Sequence, residues 1–129
     1  MGSSKSITLP SFIYRKGDHY DSISKGNSKM ELLTKEGSLE VIKQHIDKDA
    51  TFYLDSNEEW EGFEFIYILS GKLDYLKDDE VRHTIYPGDY IARKNIHNRS
   101  WFQAKTDIAL LYVSTQPSFH LMKDEVQNF

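Results

Sequence analysis

The chain has 129 residues, 39% of them hydrophobic and 28% charged, the size and balance of one globular domain with a core of its own. Sixteen Lys and Arg against 20 Asp and Glu give a net charge of −4 with no basic stripe, so neither direct nucleic-acid binding nor a membrane partner is expected. Cysteine is absent, which rules out disulfides, thiolate nucleophiles and zinc–sulfur sites and fits a cytoplasmic location, and no apolar run reaches the length of a membrane span.

Residues 1–28 read as a polar, turn-rich N-terminal arm. Within it, residues 14–19 and 22–27 read as loops, and the apolar island at residues 9–14 as a short strand laid against the rest. From Met30 onward the pattern is strand after strand. Leu39, Val41 and His45 alternate with Glu40, Lys43 and Gln44 around Ile42, an imperfect period of two. Residues 51–54 are short and rich in β-formers, and residues 55–62 form a polar connection. Residues 63–69 give the strongest strand signal: β-branched and aromatic, too short for a core helix, and stopped by Ser70-Gly71.

Leu73 and Tyr75 keep the alternation, and Lys77-Asp78-Asp79-Glu80 reads as a charged hairpin tip. Val81, His83 and Ile85 then alternate with Arg82, Thr84 and Tyr86. Pro87-Gly88-Asp89 reads as a tight turn, since proline presets its own φ and glycine accepts the next. Tyr90 to Ala92 starts a further strand, and residues 100–105 and 107–114 read as a closing pair. Eight to ten short strands at this spacing predict a sandwich or barrel. The tail, residues 117–129, reads as a helix begun by Pro117-Ser118 and solvated by Asp124-Glu125.

Side chains alternate along a strand. With Glu64 pointing inward, Ile66 and Ile68 point inward too, and Phe65, Tyr67 and Leu69 form an apolar patch outside. Such a patch is covered by another segment or marks an interface.

The stretch from Glu64 to Gly71 carries a resemblance. Glu64, six intervening residues and Gly71 match the second half of the first motif of the cupin family, and Tyr67-Ile68-Leu69-Ser70-Gly71 is similar to its usual strand end. The second motif begins well at Gly88-Asp89. The resemblance covers roughly residues 37–116 and implies an all-β, jelly-roll β-barrel over residues 29–116, with residues 117–129 as a short C-terminal helix leading to an output domain. A homodimer is a further implication.

The motif's metal-ligand positions are mostly substituted. Counting back from Glu64, the two histidines fall on Glu58 and Trp60, or on Asn57 and Glu59 with the longer spacing. The later proline, glycine, histidine and asparagine fall on Lys94, Ile96, Arg99 and Gln103. Cupin metals sit on neutral imidazoles plus a carboxylate. An arginine does not deprotonate and cannot ligate a cation. The expectation is therefore no cofactor, with Glu64 paired to Arg99 inside the barrel, because an uncompensated carboxylate there is costly. The alternative is a divalent transition metal on Glu58, Glu64 and His97, His97 taking the role of Arg99 through a shifted loop.

The remaining candidates are read as structural. His45 and His83 read as packed or surface residues, His19 and His120 as solvated, and the acid pairs Glu58-Glu59 and Asp78-Asp79 as solvated turns. Aromatic residues at the mouth, Trp60 and Trp101 among them, can wall a pocket. The expected function is a non-catalytic small-molecule-binding or sensory domain, the regulatory part of a larger bacterial protein. Its expected ligand site is Glu58, Trp60, Glu64, Arg99 and Trp101, and Arg99 favours an anionic ligand. The competing expectation is a metal-dependent dioxygenase, isomerase or decarboxylase, and a third is a purely structural module.

Overall fold

The computed structural model describes residues 10–25, 28–54, 62–93, 96, 98–115 and 119–120. Among the described residues, ten strands follow one another: β1 (Asp21–Lys25), β2 (Ser28–Glu36), β3 (Leu39–Ile46), β4 (Thr51–Leu54), β5 (Glu64–Ser70), β6 (Leu73–Lys77), β7 (Glu80–Ile85), β8 (Tyr90–Ala92), β9 (Ser100–Ala104) and β10 (Ile108–Ser114). They form a six-stranded sheet in the order β1-β2-β3-β10-β5-β8 and a four-stranded sheet in the order β4-β9-β6-β7, with every pairing antiparallel. Strands β3 to β10 are the eight strands of a double-sheet jelly roll, and β1 and β2 widen one sheet.

The core is the meeting of the two inner faces. Ile46, Ile66, Ile68, Ile108 and Leu110 from the larger sheet pack with Leu54, Leu73, Phe102 and Ala104 from the smaller one. Beyond β10, Phe119 is buried in a second cluster with Ile23, Leu32 and Ile42. Phe119 and His120 have helical backbone; the rest of the expected C-terminal helix lies outside the described residues.

The turns follow from their residues. Asp78 and Asp79 both take positive φ, 56° and 62°, as a two-residue hairpin with the right strand twist requires. Pro87 and Gly88 turn the chain between β7 and β8. Gly88 has φ +93°, Asp89 N–H donates to Tyr86 O at 2.9 Å, and Tyr86 N–H donates to Asp89 Oδ2 at 2.8 Å. Gly71 has φ +86°, and a Cβ there would collide with the carbonyl oxygen of Asp107.

The expected phase of β5 holds. Glu64, Ile66 and Ile68 are buried, while Tyr67 and Leu69 are exposed and Phe65 is half-buried. Three expectations are corrected. Residues 22–27 are not simply loop, because Asp21–Lys25 is a strand paired to β2 along its whole length. No strand forms at residues 10–14, where Phe12 and Tyr14 are 80% and 69% exposed. The last two strands are not a pair: β9 lies between β4 and β6, and β10 lies between β3 and β5 in the other sheet. In this jelly roll most consecutive strands, the β6–β7 hairpin excepted, go to opposite sheets, so chain neighbours need not share hydrogen bonds.

A buried carboxylate cluster and a cleft

The inner face of the larger sheet ends in a polar row. Ser114 of β10 lies in register with Glu64 of β5 on one side and Glu40 of β3 on the other. All three are buried, at 0%, 1% and 1% exposure. Backbone alternation fixes this arrangement. Glu40 shares its face with Ile42 and Ile46, Glu64 with Ile66 and Ile68, and Ser114 with Tyr112 and Leu110. Two buried carboxylates are tolerable only with partners. Glu40 Oε1 accepts the Phe119 N–H at 3.1 Å, which ties the chain after β10 to this sheet.

Among the described residues, two side chains hold Glu64. Arg93 Nη1 donates to Oε1 at 3.0 Å and to Oε2 at 3.3 Å, and the Tyr112 hydroxyl donates to Oε1. The Glu64 side chain has no exposed surface, and that of Arg93 is 21% exposed. Burial pushes the Glu64 carboxyl up from 4.5 to about 7, while the charge and hydrogen bond of Arg93 pull it down. Glu64 is therefore poised to hold or release a proton near neutrality.

The expected partner of Glu64 was Arg99; the cation beside it is Arg93. The reason is topological. Arg93 directly follows β8, which is hydrogen-bonded to β5 with Ile91 opposite Ile66, so alternation turns Arg93 to the Glu64 face. Arg99 directly precedes β9, which belongs to the other sheet. There its guanidinium lies over the Tyr53 ring at 4.2 Å, and Tyr53 meets Trp101 at 5.0 Å. Arg99 and Trp101 are thus brought together through Tyr53. Glu58, Trp60 and His97 lie outside the described residues. Sequence reasoning missed Arg93, Tyr112 and Glu40. The alternation of β8 and β10 carried the signal for Arg93 and Tyr112, and Ile42 and Ile46 carried it for Glu40.

A cleft of about 1110 Å³ opens between the sheets, lined by β6, β7 and β9 of one and β8 of the other. Arg99 and Trp101 are in its lining, together with Tyr75, His83 and Phe102. The cleft is large enough for a small organic molecule. His83, expected to be an ordinary packed or surface residue, is exposed and stacked on Tyr75 within this cleft.

The described residues do not fit a divalent metal at Glu64. The carboxylate oxygens are turned to a guanidinium and a phenol, and among the described residues no three His, Asp or Glu side chains gather. Among the described residues, no helix is long and apolar enough to cross a membrane.

Comparison with solved structures shows the fold to be that of the cupin superfamily. An RmlC-like cupin from Shewanella frigidimarina matches with a TM-score of 0.63 at 16% identity, over 88% of this chain and 96% of that one. Ectoine synthase from P. lautus matches at 0.62 and 15% identity, over 80% of this chain and 77% of that one. A Cupin_2 domain of an XRE family transcriptional regulator from Enterobacter cloacae matches at 0.52 and 14% identity, over 71% of this chain and 99% of that one. No protein-family model matches the sequence, and no curated protein matches it. At these identities the likeness establishes the fold alone. Enzymes and a regulator domain share it.

Proposed function

We propose that this chain is a non-catalytic small-molecule-binding or sensory cupin domain, the regulatory part of a larger protein. The observation that carries the reading is the Arg93–Glu64–Tyr112 group. At the one acidic ligand position that the cupin pattern keeps here, a guanidinium and a phenol take up the carboxylate oxygens, and a cleft elsewhere in the fold is open to a ligand. A guanidinium and a metal ion compete for the same carboxylate, and arginine does not give up its proton. Arg99, stacked on Tyr53 and lining the cleft, supplies a local positive charge for an acidic ligand. The Enterobacter structure is, by its name, a domain of a transcriptional regulator, which is compatible with a sensory role. A homodimer belongs to the same reading. Between β10 and β8 the outer sheet face presents Leu111, Val113, Phe65, Tyr67, Leu69 and Tyr90 without a formal charge, a surface that meets its own copy with no like-charge repulsion.

The test is mass spectrometry under native conditions together with metal analysis on one purified sample. The expected result is a bound small organic molecule, no stoichiometric divalent metal, and a melting temperature indifferent to chelator. Stoichiometric metal in the wild type that is lost in Glu64→Ala overturns the reading.

One observation favours a second reading, a cupin enzyme. Glu64, buried and raised to about 7, has the proton affinity of a general acid–base group at neutral pH, and ectoine synthase shares the fold. In its metal-dependent form this reading draws its other ligands, Glu58 and His97, from outside the described residues. It requires the carboxyl to be free of Arg93 during the reaction, and the metal analysis separates the two readings.

A further inference from the structure

Four rings cross the inner face of the smaller sheet in one row. Phe52, Phe102, Tyr75 and His83 are register partners on β4, β9, β6 and β7. Phe52 stacks on Phe102 with centroids 5.4 Å apart, Phe102 meets Tyr75 at 5.7 Å, and Tyr75 lies parallel to His83, at 6.3 Å and 8°. Phe102 is 4% exposed and Tyr75 half-buried, whereas His83 is exposed, so the row runs from the core to solvent. Its last three rings line the cleft, and Ile91 and Ile96 line it from β8 and the β8–β9 connection.

We infer that this cleft takes a small planar aromatic ligand, seated between Ile91 and Ile96 and the Tyr75–His83 pair. The inference rests on the ligand-binding reading and specifies its ligand class. The lining holds flat rings from the smaller sheet together with the aliphatic Ile91 and Ile96, the two kinds of apolar partner that suit the faces of a flat molecule. A saturated ring of the same size buries similar area but forgoes offset or edge-to-face contact with Tyr75 and His83. Total charge does not make the choice, because Lys77 and Arg99 in the lining are balanced by Asp78 and Asp79. An acidic substituent is recognised only by reaching Arg99 itself. The edge of the row is the natural entry, since His83 is its most exposed ring. Tyr75 is then the deeper contact, positioned by Phe102 behind it.

The experiment is calorimetric titration of the full chain with 2-naphthoate and with decahydro-2-naphthoate, acids matched in charge and carbon skeleton. The expected result is a preference of about threefold to tenfold for the aromatic acid, the range that stacking contributes beyond area. In His83→Leu the preference falls towards unity. That residue is exposed, so the variant keeps its fold; Tyr75→Leu is expected to behave likewise with a larger loss of affinity. Equal affinity of the wild type for both acids overturns the aromatic assignment and leaves the ligand-binding reading standing. A preference that survives both substitutions overturns it too, because the ring then binds elsewhere. Failure of the aromatic acid to bind at millimolar concentration also overturns it. In that case the molecule recovered with the purified protein still decides the broader reading on its own.

Discussion

Glu64 is the residue on which most of the chemistry turns. Its folded value of about 7 stands above the ordinary 4.5, with burial as the larger cause and Arg93 opposing it. A carboxyl raised on folding binds more protons in the native state between those two values. Its contribution to stability is therefore full below pH 4.5 and is lost as pH rises through about 7. Urea unfolding from pH 4 to 8 is expected to show wild-type stability declining across that window, and Glu64→Gln is expected to lack this component. Parallel curves for the two proteins would contradict it. Arg93→Met removes the guanidinium from a buried carboxylate, and is expected to cost about 3 kcal/mol at pH 8 and less at pH 5, where the group is protonated.

At the scale of elements, the link between β5 and β6 is the least forgiving point. Gly71 combines a φ of +86° with a backbone carbonyl, that of Asp107, where a Cβ would stand. The same corner is tied by Lys72 N–H donating to Thr106 Oγ1 at 3.0 Å and Lys105 N–H to Lys72 O at 2.9 Å, so the backbone has little room to move aside. Gly71→Ala is expected to destabilise by about 3 kcal/mol or more, measured by urea denaturation. A loss of only about 1 kcal/mol, the scale of the left-handed backbone penalty alone, would mean that the corner relaxes. Gly37 is a useful control. Its φ of +59° is also positive, but nothing stands where its Cβ would go, so Gly37→Ala is expected to cost less.

For the whole molecule, the open question is what faces the outer side of the larger sheet. A sheet with one solvated face alternates apolar and polar residues. Here β5 and β10 carry Phe65, Tyr67, Leu69, Leu111 and Val113 on the outer face, and Tyr67 and Leu69 are 36% and 39% exposed. Sedimentation equilibrium at micromolar concentration is expected to give the mass of a dimer, and Tyr67→Glu with Leu69→Glu the mass of a monomer. Both side chains are exposed, so the substitutions do not disturb the core. A wild-type monomer throughout the concentration range counts against the self-association proposal.

Local chemistry determined a large share of the fold. The phase of β5, the Asp78-Asp79 hairpin and the Pro87-Gly88 turn follow from alternation and from φ preferences that each residue carries with it. Where both faces of a strand are apolar, alternation stops being decisive. In β3, Leu39 and Val41 compete with Ile42 and Ile46 for the inner face, and only the packing of two sheets settled it and buried Glu40. Motif spacing kept Glu64 but assigned its partner to Arg99. Which arginine reaches a carboxylate depends on which sheet its strand joins, and that is set by long-range pairing rather than by distance along the chain. The sequence by itself thus determined most strands from β3 onward, the Asp78-Asp79 and Pro87-Gly88 turns and the one retained acid. Tertiary structure alone decided that Arg93 and Tyr112 meet that acid, and that Phe52, Phe102, Tyr75 and His83 line up into one row.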